Sequence, residues 1–157
     1  MGAFECLRNM EQKKVMEVGG QVDETSVTLA IYGEELDPTA ITKVLGCEPT
    51  SSHTKGTVRG PRGRPARAGA WLLEVRGISP KSPEELTREL ISKLPKDEII
   101  WSKISQDFDI QLRYAFHLES WNRGLDLSNE VLTTIALLGA SIVFDVYCYS
   151  KTRDTQH

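Results

Sequence analysis

Apolar and polar residues alternate along four stretches of the chain, which is the pattern of a strand with one buried and one exposed face. The four predicted strands are residues 25–32, 70–76, 110–119 and 141–149. In the third, every second residue from Ile110 to Leu118 is apolar, whereas Arg113 and His117 point the other way. A sheet covered on both faces would be apolar throughout, so we expect helices on one face only.

Three helices are predicted between these strands. Their expected N-cap residues are Asp37, Ser82 and Ser128. Proline follows both Asp37 and Ser82, as is typical of the first helical position, and Ser82 also begins a capping box. Gly46 stands where a C-cap glycine belongs. Residues 98–105 are either a short helix or a turn.

The chain of 157 residues fits one domain with two tails. Residues 25–149 contain the patterned elements, and residues 1–24 and 150–157 are polar tails. The order β-α-β-α-β-α-β predicts an α+β fold. The simplest such arrangement is a ferredoxin-like sandwich, in which a four-stranded sheet carries about three helices on one face.

Residues 49–69 interrupt the pattern. Their glycines and prolines exclude a long regular element, so we expect a long loop or an irregular hairpin. The segment has no carboxylate and five positive side chains: Lys55, Arg59, Arg62, Arg64 and Arg67. Arginines beside glycine amides are suited to bind phosphate or a carboxylate-rich partner, so the four arginines are candidate binding residues.

The outward face of the predicted sheet supplies a second group of candidates. These are Tyr32, Arg113, His117, Asp145 and Tyr147. They fit either a surface that binds a ligand or peptide, or an ordinary solvated face with cross-strand ion pairs. His117 with Asp145 is a candidate acid–base pair, although the sequence places no nucleophile beside it. Trp121, in a polar stretch, is a candidate interface anchor.

Composition excludes several classes of protein. A net charge of −3 argues against a surface that binds nucleic acid everywhere. Three widely spaced cysteines without a C-x-x-C pair predict reduced thiols and favour the cytoplasm. We expect no signal peptide, because residues 1–14 lack an apolar core. We expect no membrane span either, because the longest apolar run is short and interrupted. The sequence has no metal-binding or nucleotide-binding motif, so no metal or cofactor is expected.

Several short strings occur in order along the chain: IYGEELDP at 31–38, LGCEPT at 45–50, GAW at 69–71, LGA at 138–140 and FDVY at 144–147. Together they resemble a bacterial domain of unknown function, the DUF4279 family, over about residues 25–149. The family has no established activity, so the resemblance implies a fold more than a function. Similar small cytoplasmic domains among candidate toxin-immunity proteins favour an immunity- or antagonist-type role.

We therefore expect a non-catalytic cytoplasmic protein that binds another protein, with the basic loop steering an acidic partner. Two alternatives stay open. One is a nucleic-acid or nucleotide-binding domain that uses residues 55–67. The other is a small-molecule enzyme or sensor on the sheet face around His117 and Asp145. Open sheet edges also permit a homodimer.

Overall fold

The computed structural model describes residues 20–120 and 122–149, with the side chain of Arg59 left out. The predicted tail residues 1–19 and 150–157, and the candidate Trp121, lie outside the described residues. The strands are β1 (Gly20–Gln21), β2 (Glu24–Gly33), β3 (Ser51–His53), β4 (Val58–Arg59), β5 (Arg64–Pro65), β6 (Gly69–Ile78), β7 (Asp109–Leu118), β8 (Arg123–Gly124) and β9 (Ser141–Cys148). The helices are α1 (Pro38–Leu45), α2 (Pro83–Ser92), α3 (Glu98–Asp107) and α4 (Asn129–Leu137).

The main sheet has five strands in the order β3-β6-β2-β7-β9. The central strand β2 is antiparallel to both β6 and β7, and β3 is antiparallel to β6 at one edge. At the other edge, β9 is parallel to β7. Two small pairs lie outside this sheet: β1 is parallel to β8, and β4 forms an antiparallel hairpin with β5.

The predicted α+β class is confirmed. The four-stranded ferredoxin-like sandwich with three helices is not confirmed, because the described residues form a mixed five-stranded sheet and four helices. Residues 98–105, left open between helix and turn, lie within α3. The additional strand β3 has only three residues, too few for an alternating pattern to be recognised.

Local capping explains why the predicted helices begin and end where they do. The Asp37 side chain accepts a hydrogen bond of 2.9 Å from the backbone amide of Thr39, and α1 ends at Gly46 with φ 69°. This left-handed backbone conformation favours glycine, which has no Cβ atom to clash. Ser82 and Glu85 form the predicted capping box at the start of α2.

One core lies between the sheet and the helices. The inward residues Leu29, Leu73 and Leu112 face one another across the three central strands, and all are buried. Buried residues from all four helices join the same cluster. The Trp71 indole also donates a hydrogen bond of 3.0 Å to Thr42 of α1. Val22 is buried as well, so the folded part begins before residue 25, the boundary predicted from the sequence.

Within residues 20–120 and 122–149, no helix is both long and apolar enough to cross a membrane.

Candidate functional site

Five of the predicted site residues share the outward face of the main sheet. Strand register brings them there, because Arg113 lies opposite Val143 and His117 lies opposite Tyr147 on the neighbouring strand β9. Tyr32 lies on the same face of the central strand β2. Their alternation with buried residues was the only sequence signal needed to predict this grouping.

Arg113 is the centre of a polar network on this face. Its guanidinium donates a hydrogen bond of 3.0 Å to Asp145 and one of 3.3 Å to the side-chain oxygen of Gln111. The Gln111 amide in turn donates to Asp109 at 2.6 Å. Partial burial opposes the charge of Arg113, but Asp145 and Tyr32 outweigh it and hold the pKa of Arg113 above its ordinary value.

His117 belongs to an aromatic cluster. Its ring stacks on Tyr147, with centroids 5.0 Å apart and planes at 12°, and it also stacks on Tyr149 at 6.0 Å. The His117 Nδ1 lies 3.2 Å from the Tyr149 hydroxyl. The structure therefore shows a different arrangement from the hypothetical His117–Asp145 pair. The reason is register: Asp145 lies opposite Ala115, and it is the long Arg113 side chain that reaches it.

The basic segment forms a hairpin, the second of the two predicted alternatives. We call residues 58–67, which contain β4, β5 and the turn between them, the arginine hairpin. Gly60 and Gly63 lie in the turn with φ 73° and 58°, a conformation that favours glycine. The glycines that exclude a long regular element thus permit a tight reversal of the chain.

The base of the arginine hairpin is held by main-chain and ionic contacts. The Gly56 amide donates to the Ala66 carbonyl at 2.8 Å, and the Ala66 amide donates to the Thr57 carbonyl at 2.9 Å. Lys55 forms an ion pair with Glu34, whose hydrogen bond raises the pKa of the lysine. The charge of Lys55 is therefore already compensated within the chain.

Three arginines beyond this base have no counter-charge within the described part of the chain. The side chains of Arg62, Arg64 and Arg67 are exposed, and none of them forms an ion pair with another residue in the described part of the chain. In the register of the hairpin, Arg59 lies directly opposite Arg64.

A cleft between the helices has no counterpart in the sequence analysis. It has a volume of about 480 Å³ and lies among α2, α3 and α4, over a floor that includes Leu94, Trp101 and Val131. The Trp101 indole donates to a backbone carbonyl at 2.8 Å, and Arg88 at the rim is bound by Glu84 and Glu130. These two polar groups are occupied within the chain, and the lining also includes one residue of each charge, Lys96 and Glu98.

No cluster of three or more histidine, cysteine, aspartate or glutamate residues suited to a metal ion occurs in residues 20–120 and 122–149.

Within the described residues, the fold and its two candidate surfaces define an α+β domain with a half-buried polar sheet face and an exposed basic hairpin. The family model described as Domain of unknown function (DUF4279) matches residues 23–149, and the chain belongs to this family. The resemblance noted in the sequence is thereby confirmed. No curated protein and no solved structure matches the chain.

Proposed function

We propose that this protein is a non-catalytic binding domain that recognises an acidic protein through the arginine hairpin. In its specific form, the protein is a cytoplasmic immunity- or antagonist-type factor. One observation carries the proposal: three exposed arginines that form no ion pair with any other described residue stand on a hairpin whose base is closed by main-chain hydrogen bonds and joined to Glu34 by Lys55. Arginine binds carboxylates in a bidentate manner, and a fixed hairpin has less entropy to lose on binding.

The composition of the hairpin favours a protein over a single-stranded nucleic acid. Proteins that bind single strands combine basic residues with aromatic side chains on which bases stack. Residues 49–68 contain no phenylalanine, tyrosine or tryptophan.

The sheet face supports binding rather than catalysis. Asp145 accepts a hydrogen bond from Arg113, and the His117 ring stacks with the rings of Tyr147 and Tyr149. Catalysis by such groups would need a nucleophile or a substrate proton within hydrogen-bond reach of a free base. The face instead offers neutralised charges and aromatic rings, which suit a contact surface.

The test compares two variants that lose the same charge. The first changes Arg62, Arg64 and Arg67 to alanine. The matched control changes Lys43, Lys96 and Lys103 to alanine, which are exposed and lie outside the hairpin. Each variant is used as bait in extracts of the source cells, with and without nuclease. Captured proteins are identified, purified and measured for association rate at several salt concentrations.

We expect one acidic protein to be captured both with and without nuclease, and to bind the lysine control variant as it binds the wild type. Its association rate should fall at least about tenfold with the arginine variant at low salt, because steering by charge acts mainly on encounter. Equal binding to unrelated proteins of the same acidity would contradict the proposal. So would equal losses in the two variants, or recovery of nucleic acid as the ligand.

A further inference from the structure

Strand β9 forms an edge of the main sheet, and within the described residues no strand pairs with its outer side. It is eight residues long and contains neither proline nor lysine. Natural proteins commonly protect such edges with charges, prolines, bulges or a covering segment, because a free edge is a template for another strand. Of the residues that protect an edge strand, β9 contains only one charged side chain, that of Asp145.

That charge is compensated. Asp145 is the only ionisable acid or base of β9 apart from Tyr147 and Cys148, and it is hydrogen-bonded to Arg113 of the neighbouring strand at 3.0 Å. An approaching strand would therefore meet a nearly neutral edge. This favours an apolar, uncharged partner strand over a charged one.

Two apolar side chains of β9 are exposed although they lie on the core side of the sheet, whereas Ile142 on the same side is half-buried against the core. Phe144 is 52% exposed and Val146 is 58% exposed. The Phe144 ring lies 5.5 Å from that of Tyr114 and 5.9 Å from that of Phe116, measured between ring centroids. The row of core aromatics thus continues to the edge and ends half in solvent.

We propose that the outer edge of β9 pairs with β9 of a second copy of this chain, antiparallel and about a two-fold axis at Phe144. This register places Phe144 opposite itself and Ile142 opposite Val146, so that apolar residues meet on one face. On the other face, Val143 lies opposite Asp145. A two-fold axis at Asp145 would bring two carboxylates together, which is destabilising.

The register also gives the longest overlap that avoids this repulsion. An axis at Phe144 pairs residues 141–147 with the same residues of the partner, almost the whole of β9. An axis at Val143 or Val146 pairs only five residues within the strand. Two-fold homodimers are the commonest oligomers, and an edge that complements itself fits this symmetry.

The oligomeric state of the full chain tests the proposal directly. Sedimentation equilibrium of the wild type should give twice the chain mass of 17.6 kDa at micromolar concentration. Phe144→Lys should weaken association at least about tenfold, since a charge would then face its own copy. The matched control is Ile99→Lys on α3, where the isoleucine is 65% exposed, and it should dimerise like the wild type.

Circular dichroism and thermal unfolding establish that both lysine variants are folded, and Val146→Lys provides a second edge variant. A wild type that stays monomeric up to millimolar concentration would overturn the proposal. A dimer that Phe144→Lys and Val146→Lys leave intact would overturn it equally.

Disulfide formation tests the register itself. In a background where Cys6, Cys47 and Cys148 are serine, Phe144→Cys should form a disulfide dimer on mild oxidation, because directly opposite Cα atoms are about 4.5–5.5 Å apart. Val143→Cys should not form this disulfide. In the proposed register its two copies are offset by two residues along the strands, which separates their Cα atoms by roughly 8 Å. Crosslinking of Val143→Cys in preference to Phe144→Cys would refute the axis at Phe144.

Discussion

Replacing Gly69 with alanine tests whether the entry into β6 is as tightly packed as the structure shows. Gly69 is buried and lies opposite Gly33 of β2. A Cβ atom at Gly69 would lie 2.6 Å from the backbone oxygen of Leu36 and 3.1 Å from the Cβ of the same residue. Main-chain atoms cannot rotate out of the way, so the strand or the turn before α1 must move.

The turn at Leu36 has little room to give. The Leu36 side chain is 3% exposed, and its amide donates to the Gly33 carbonyl at 3.3 Å. Inserting a methyl group into a packed site costs about 1–3 kcal/mol. The lower entropy of alanine in the unfolded chain offsets about 0.4–1 kcal/mol of this. We therefore expect Gly69→Ala to lower the free energy of unfolding by roughly 1–2 kcal/mol.

Urea unfolding followed by tryptophan fluorescence measures this difference. The matched control is Gly124→Ala, at an exposed position where an added Cβ would meet no atom within 4 Å. We expect the control to be as stable as the wild type or slightly more so. If Gly69→Ala unfolds at the same urea concentration as Gly124→Ala, with equal m-values, the steric argument is refuted.

Three further predictions concern single side chains. Tyr114→Phe should lower the free energy of unfolding in urea by about 1 kcal/mol, because it removes a 2.8 Å hydrogen bond to the Thr87 hydroxyl. The loss is no larger because the Thr87 hydroxyl still donates its own hydrogen to a backbone carbonyl. Unchanged stability would contradict this prediction. Burial raises the pKa of the Cys47 thiol, so iodoacetamide should label it more slowly in the native chain than in urea, and equal rates would count against the burial. The backbone amide of Ser128 donates a hydrogen bond to Glu84 and holds the pKa of that carboxyl below its usual range. The carboxylate therefore stabilises the fold above its unfolded pKa, and this contribution is lost as the pH falls through its folded pKa. Glu84→Gln should flatten the acid side of a plot of melting temperature against pH, and an unchanged slope would argue against this role.

The helix caps and strand faces were predictable because their signals are local. Asp37, Ser82 and Ser128 all act as N-caps, as their sequence context predicts. The parallel pairing of β7 with β9 was not predictable in the same way, because it depends on how the segment containing α4 crosses the sheet. Alternation predicts which face of a strand is buried, but it does not predict which strands are neighbours in the sheet.

The candidate site shows the same division between face and partner. Alternation predicted that Asp145 and His117 share one face. The register of β7 against β9 determines that Asp145 accepts a hydrogen bond from Arg113 instead of pairing with His117. Alternation also placed Phe144 on the inner face, but it carries no information about whether a helix covers that part of the sheet. Its 52% exposure is a property of the tertiary structure alone.

The two proposed surfaces make a joint prediction, because they lie on opposite sides of the sheet order. The arginine hairpin connects β3 with β6, whereas the dimer edge is β9. A β9 dimer therefore leaves both hairpins free and presents two of them to a surface that displays many copies of the acidic partner. Two linked sites bind such a surface about a hundredfold more tightly than one, without any new contact. Phe144→Lys should thus weaken binding to a densely coated biosensor surface while leaving one-to-one affinity in solution unchanged, and the triple arginine variant should lose both while remaining a dimer. Equal loss of solution affinity in the two variants would show that the edge and the hairpin are not separate surfaces.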